Sequence, residues 1–366
     1  MATFHFPATF YQQQVPNLGH SLRVNSIVFT PDGKKIISAS WKIVITSAET
    51  GEEIKTILLG SSSRDVIDSL AVAPDSKTIA VGMRQNHLIQ IWDVESEKNL
   101  ATLVGHKKMI RSLLFTSNGS QLISAGYEGK IFVWDMKTMK LNTTLKSSRN
   151  GVTAVSIDRE GRKLAAGSPD GEIKLWLLPK GKLVFSSKQH KNLVSALTFN
   201  KDGSKLASAS WDTNIGVWNT ETGECETVLS GHKNGVDNIA FSQDNKALMS
   251  SSYNRIDKLG TMIFWQLLTG KPVHTLVGNF YRQTLSPDSS TVVLVSANGT
   301  VKTLLNATPE EFLESEIRRR ERRLDERRRG ELPFQGKDRR ETVADDRRRG
   351  SRRTPKTPSD TKIEIE

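Results

Sequence analysis

The chain is poor in the residues that covalent stapling and redox chemistry need. Its 366 residues include one cysteine, Cys225, which can form neither an internal disulfide nor a multi-cysteine metal site. No motif places a base beside that thiol, so an incidental role and a reducing compartment are expected. No stretch reaches the roughly 18 consecutive apolar residues of a membrane span. Met1 to Phe10 lacks a basic segment followed by an apolar run. A soluble intracellular protein, cytoplasmic or nuclear, is the expectation, with no membrane partner. Catalytic signatures are missing too. There is no Gly-x-Ser-x-Gly, no phosphate-cradling Gly-rich loop ending in Lys-Ser/Thr and no His-Glu-x-x-His. His5, His87 and His274 stand apart from any partner at ligand spacing. An enzyme is therefore not expected, nor a cofactor, a metal or a small-molecule substrate.

Glycine and tryptophan are plentiful instead, at 26 and 7 residues, and 36% of the chain is hydrophobic. Many short strands and turns with a real core suit that composition. One segment recurs seven times, starting at Val28, Ala71, Leu114, Ser156, Thr198, Ala240 and Thr284. The intervals are 43, 43, 42, 42, 42 and 44 residues. Each copy has an alternating apolar run, a turn such as Pro31-Asp32-Gly33, and a second apolar run, which together read as a β-hairpin. A third strand follows and usually ends in tryptophan: Trp92, Trp134, Trp176, Trp218 and Trp265. The first copy has Thr46 there and the last Leu304. A fourth strand then leads towards a Gly-His pair.

These residues resemble the WD-repeat family. Gly-His pairs end at His20, His106 and His232, with Gln189-His190 as a variant. Trp-Asp occurs at Trp92-Asp93 and Trp134-Asp135 and degrades to Trp176-Leu177, Trp218-Asn219 and Trp265-Gln266. A period of about 40–45 residues with both signatures marks that family. The resemblance covers roughly residues 15–308 and implies an all-β, seven-bladed β-propeller over 16–308. It also implies that a strand within residues 1–15 closes the last blade, because the seventh copy stops after its third strand. A missing donor at Pro7 or Pro16 is tolerated at such an outer edge.

The resemblance further implies that each Gly-His histidine hydrogen-bonds an Asp in the turn before the tryptophan strand. The fifth copy holds the full set: His190, Ser208, Asp212 and Trp218. In the third, His106 and Trp134 face Glu128 in place of Asp, and the sixth has His232 and Trp265. These groups are expected to be structural, since a fully satisfied buried network holds one arrangement.

In this family one face of the disc carries the loops between strands two and three and between strands four and one. The residue in the first loop is Trp41, Gln85, Tyr127, Pro169, Trp211, Tyr253 and Ala297 in turn. The aromatic four, Trp41, Tyr127, Trp211 and Tyr253, are expected to anchor other proteins or peptides. A second position on this face holds Asn25, Asp68, Arg111, Thr153, Ser195 and Asp237, of which Asp68, Arg111 and Asp237 are the candidates. An insertion between Trp218 and Trp265 adds Arg255 and Lys258 beside Tyr253, and insertions in repeat arrays often map to the binding face.

Net charge is +12. From Pro309 onward there are 18 Lys and Arg against 15 Asp and Glu, so the tail is dense in charge but mildly basic. Thr308-Pro309-Glu310-Glu311 reads as a helix start and Gly330 as a stop, giving an Arg-rich helix over 309–330. Residues 331–366 are polar and charged and are expected to be disordered. Arg318, Arg319 and Arg320, with Arg347, Arg348, Arg349, Arg352 and Arg353, offer a nuclear address or a nucleic-acid contact. A solvated helix and linker is the plain alternative. Thr342, Thr354 and Thr357 resemble phosphorylation sites whose phosphate would cancel that charge. The expected function is a non-catalytic protein-interaction scaffold. Two alternatives are a nuclear or nucleic-acid-associated factor acting through the tail, and a substrate receptor of a cullin-type ubiquitin ligase. The last rests on Trp134-Asp135-Met136-Lys137, which carries Lys where that pattern has Arg.

Overall fold

A computed structural model of the chain describes residues 10–15, 24–59, 66–288, 291–296, 301–306 and 362–365. Residues 12–305 with 362–366 form one compact unit; the other, 1–11 with 306–361, lies almost wholly outside the described residues. The expected helix over 309–330, the arginine clusters from Arg318 to Arg353, and Thr342, Thr354 and Thr357 fall outside them as well.

The described residues are all-β. The chain starts with β1 (Phe10–Val15). Blade 1 is β2 (Ser26–Phe29), β3 (Lys35–Ala39), β4 (Lys42–Ser47) and β5 (Glu53–Leu58). Blade 2 is β6 (Ile67–Val72), β7 (Thr78–Met83), β8 (Ile89–Asp93) and β9 (Lys98–Leu103). Blade 3 is β10 (Ile110–Phe115), β11 (Gln121–Gly126), β12 (Lys130–Asp135) and β13 (Lys140–Lys146). Blade 4 is β14 (Ala154–Ile157), β15 (Lys163–Gly167), β16 (Ile173–Leu177) and β17 (Lys182–Ser187). Blade 5 is β18 (Val194–Phe199), β19 (Lys205–Ser210), β20 (Asn214–Asn219) and β21 (Cys225–Ser230). Blade 6 is β22 (Val236–Phe241), β23 (Ala247–Tyr253), β24 (Gly260–Gln266) and β25 (Lys271–Gly278). A further sheet joins β26 (Arg282–Leu285), β27 (Thr291–Val295) and β28 (Val301–Asn306), with β1 next to β28. A last strand, β29 (Lys362–Ile365), pairs in parallel with β25. The end of the tail expected to be disordered is thus placed as a strand, where the outer edge of β25 offers backbone groups to pair.

Blades do not bury enough surface singly, and the core lies between them. Ile43, Ile45 and Ile57 of blade 1 pack with Ile67, Ile79 and Val81 of blade 2 in one buried cluster. Ile215, Val217 and Leu229 of blade 5 pack likewise with Ile239, Leu248 and Trp265 of blade 6. Val24 and Ile27 of blade 1 share a cluster with Tyr281, Val293 and Val295 of the further sheet. Each buried Ile or Leu contributes about 1.5–3 kcal/mol. Second strands such as β19 are buried along almost their whole length, whereas outer strands such as β17 are half exposed. This gradient fits sheets packed radially with their fourth strands outermost.

The hairpin turn of each copy needs one residue with positive φ. Gly119, Gly161 and Gly203 supply it at 69°, 70° and 69°, and Ser76 adopts it at 59° despite its side chain.

Candidate functional site

The first strand of each blade begins at one end of the propeller beside a cavity, and in three blades the side chain just there also ties one blade to the next. Asn25 Nδ2 donates to the carbonyl of Ile67 in blade 2 at 3.0 Å. Thr153 Oγ1 of blade 4 donates to Val194 O at 2.6 Å, and Ser195 of blade 5 donates to Val236 O. These three are rivets between blades. In blades 2, 3 and 6 the position holds Asp68, Arg111 and Asp237, and the tie passes to the following residue. Ser69 Oγ donates to Ile110 O at 3.4 Å, Ser112 Oγ accepts from Val155 N at 3.4 Å, and Asn238 Nδ2 donates to Gln283 O at 3.3 Å. A register slip sits at each of these charged residues, between Ile67 and Ser69, Ile110 and Ser112, and Val236 and Asn238, and also at Ser195, between Val194 and Ala196.

Asp68, Arg111 and Asp237, with the tie residues Asn25, Thr153 and Ser195, line a cavity of about 740 Å³ together with Arg84, Tyr127, Trp211, Tyr253, Arg255, Ile256 and Arg282. Of the nine residues expected to bind, the structure brings seven together there: Tyr127, Trp211, Tyr253, Asp68, Arg111, Asp237 and Arg255. Trp41 is half-buried and is not part of the lining. Lys42 Nζ lies 5.9 Å from its ring centre, and its Nε1 is buried without a hydrogen-bond partner. Lys258 is exposed in the insertion turn with φ of 60°, away from the lining. The aromatics are less open than a solvent-side ring would be. Trp211 is 42% exposed, while Tyr127 and Tyr253 are half-buried.

Charge and rings are interleaved around this mouth. Asp68, almost buried, accepts from Arg84 Nε at 2.8 Å and Nη2 at 2.5 Å. Trp211 Nε1 donates to Asp237 Oδ1 at 3.3 Å, and the Tyr253 backbone N–H donates to Oδ2 at 3.1 Å. Burial pushes the Asp237 carboxyl above the usual carboxylate range, against the pull of Arg282, these two N–H donors and Arg255. The Arg111 guanidinium lies 5.9 Å from the Tyr127 ring centre, and that of Arg255 lies 5.9 Å from the Trp211 ring. Tyr253 meets Tyr281 edge-on at 6.0 Å, and Tyr281 donates from its hydroxyl to Val24 O at 2.5 Å. Sequence reading missed Arg84, which neighbours Gln85 in its loop. It also missed Tyr281, which counting the second position on into the seventh copy would have found, and Arg282 beside it.

The histidine groups lie inside the blades. His190 Nδ1 is 2.9 Å from Asp212 Oδ2, and its Nε2 is 2.7 Å from Ser208 Oγ, which also accepts from Trp218 Nε1 at 2.8 Å. Asp212 is desolvated, yet the Lys191 and Asn214 amides and His190 hold it below the usual carboxylate range. In blade 3, His106 contacts Glu128 and Ser124, and Trp134 Nε1 donates to Ser124 at 2.8 Å. The expectation of an Asp partner for every such histidine is corrected at His232. Its nitrogens lie 2.6 Å from Ser250 Oγ and 3.0 Å from Ser252 Oγ, and Trp265 Nε1 donates to Ser250 at 2.7 Å. With no acid beside it, burial lowers the His232 pKa to about 4. Among the described residues no three His, Cys, Asp or Glu are grouped to hold a metal, and no helix is long and apolar enough to cross a membrane.

A family model described as "WD domain, G-beta repeat" matches residues 12–44, 97–135, 139–176, 181–219 and 223–259. The chain is similar to "U3 small nucleolar RNA-interacting protein 2" of Homo sapiens, 32% identical over 118 residues, which is 29% of this chain and 24% of that protein. The Mus musculus protein of the same name is 32% identical over 115 residues, 28% of this chain and 24% of its own length. "Pre-mRNA-processing factor 19 homolog 2" of Arabidopsis thaliana is 27% identical over 111 residues, 30% of this chain and 21% of that protein. The chain therefore matches under a quarter of the length of each of these relatives.

Proposed function

The chain belongs to the WD domain, G-beta repeat family, and from that premise we propose that it is a non-catalytic scaffold whose protein partners dock at the cavity mouth. The observation that carries this reading is the convergence of Tyr127, Trp211 and Tyr253 with Asp68, Arg111, Asp237 and Arg255 on one cavity. Aromatic rings and arginines in a partly desolvated hollow are what interface anchors are made of. Rigidity supports it as well, because rivets such as Asn25 to Ile67 O tie the blades beneath the mouth. The sheet of β1, β28, β27 and β26 is read as a seventh blade that closes the ring through an N-terminal strand. Trp41 and Lys258 serve at the rim in this reading.

The test is quantitative affinity capture from native lysate, comparing the full chain with a Tyr127→Ala/Trp211→Ala variant whose melting is checked. Loss of partners by the variant supports docking at the mouth; an unchanged partner set rejects it.

A second reading has the protein act in the nucleus in association with RNA. It is favoured by similarity to proteins whose names refer to a small nucleolar RNA and to pre-mRNA processing, and by the arginines at 318–320, 347–349 and 352–353. Phosphate at Thr342, Thr354 or Thr357 would weaken such a contact. RNA binding that falls steeply with salt and is abolished by removing residues 309–366 is its signature.

A further inference from the structure

We propose that the docking mouth receives an acidic peptide segment, whose carboxylate side chains are held by Arg111 and Arg255 and whose neighbouring apolar side chain rests on Ile256. This rests on the reading of the mouth as the docking site and names the chemistry of what docks.

Four arginines line the cavity against two aspartates, and they are not equivalent. Arg84 is committed to Asp68, with both contacts on Oδ1. Arg282 is the strongest cationic influence on Asp237. Arg255 also pulls on Asp237, more weakly than Arg282, but neither it nor Arg111 is in an ion pair among the described residues, and the two lie 5.9 Å from the ring centres of Trp211 and Tyr127. A ring accepts no conventional hydrogen bond from the guanidinium beside it, so the N–H fork stays available to a carboxylate. The ring restrains the side chain beforehand, so less freedom is lost on binding.

The same features disfavour other anions. Nucleic acid recognised as a single strand needs ring faces on which bases stack, and a guanidinium 5.9 Å from the centre of each of Tyr127 and Trp211 competes for one face of those rings. Asp68 and Asp237 line the cavity as well and would repel the unbroken run of charges of a phosphodiester backbone more than separated carboxylates. They also offset half of the arginine charge, which suits singly charged carboxylates better than a phosphate group carrying nearly two charges. At the lip Ile256 is 92% exposed, so an apolar partner group beside the acid gains burial there.

The experiment is fluorescence anisotropy on the full chain with short fluorescein-labelled peptides. One alternates Glu and Leu, one has Gln for every Glu, and one carries phosphoserine for Glu; an oligouridine is the nucleic-acid probe. The Glu–Leu peptide is expected to bind roughly tenfold or more tighter than the Gln–Leu peptide, and more weakly as salt rises. Arg111→Gln with Arg255→Gln should weaken it by roughly tenfold to a hundredfold, whereas Arg159→Gln in an exposed hairpin turn should change nothing. Arg111→Lys with Arg255→Lys keeps the charge and loses the fork, so it should fall in between; this pair also serves if the glutamine pair melts early. Equal binding of the Gln–Leu peptide, indifference to both double variants, or preference for phosphoserine or oligouridine would overturn the proposal. Failure of the peptides while the Tyr127 and Trp211 variant still loses its cellular partners removes the charge assignment alone. Retention of every partner by that variant removes the docking reading and this inference with it.

Discussion

Trp211 Nε1 donates to Asp237 Oδ1 at 3.3 Å, tying the loop after β19 in blade 5 to the start of β22 in blade 6. The other carboxylate oxygen accepts the Tyr253 N–H, so one half-buried acid holds two of the four aromatic residues at the mouth. Asp237→Ala leaves both donors without their acceptor and should lower the free energy of unfolding by roughly 1–3 kcal/mol. Asp237→Asn should cost less, because it keeps one acceptor and removes a charge that burial disfavours. Urea melts of the two variants decide it; equal losses would contradict this account.

Ser208 Oγ is shared by His190 and Trp218 within blade 5. Ser208→Ala leaves a buried imidazole nitrogen and a buried indole N–H unsatisfied. A loss of roughly 2–3 kcal/mol is expected, with peptide binding at the mouth unchanged at temperatures where the variant stays folded. Chemical denaturation and anisotropy measure the two separately, and a binding defect at full folding would reject the purely structural role.

His232 makes stability depend on pH in a predictable direction. Its native pKa is lowered to about 4 from 6.5, so on acidification the unfolded chain takes up the proton first. The stabilisation is therefore complete above pH about 6.5 and shrinks between there and pH 4, by roughly 3 kcal/mol in all. Carboxylates held below their usual range, such as Asp212, add losses mainly below about pH 4. His232→Gln should be less stable at neutral pH but show a flatter profile between pH 6.5 and 4. Parallel slopes for variant and parent would contradict the assignment.

Ser76 holds the turn position that glycine fills at Gly119, Gly161 and Gly203, with φ of 59°. Ser76→Gly removes that strain and loses a long hydrogen bond of 3.3 Å from Asp32 N. A net gain of roughly 0.5–1 kcal/mol is expected, read as a higher urea midpoint with an unchanged slope.

Much of the architecture was legible because a blade repeats its physics. The recurring turn, with the tryptophan and the histidine in the copies that keep them, marks the same places of the repeat, and the family resemblance implied that His190, Ser208, Asp212 and Trp218 form one network. Departures arise where one copy replaces a partner by a residue with different reach. His232 pairs with Ser252 because the sixth copy has no acid where Asp212 stands. Trp41 lies outside the cavity lining, in a loop about two residues shorter than its counterparts, and equal counting assumes equal loops. Spacing marked Asp68, Arg111 and Asp237 as a position. It could not show that Ser69, Ser112 and Asn238 take over the ties there, since a hydrogen bond from one blade to the next is set by tertiary packing and leaves no periodic trace.

The central claim, that partners dock at the mouth, is tested most directly by site-specific photocrosslinking in native lysate. A benzoylphenylalanine at Ile256, 92% exposed at the lip, is compared with one at Leu268, 91% exposed in the turn between β24 and β25 and outside the lining. Matched exposure makes random capture equal at the two positions. Discrete crosslinked partners from position 256, reduced by Trp211→Ala and absent from position 268, are the predicted result. The same bands from both positions, or bands from position 268 alone, would contradict docking at the mouth.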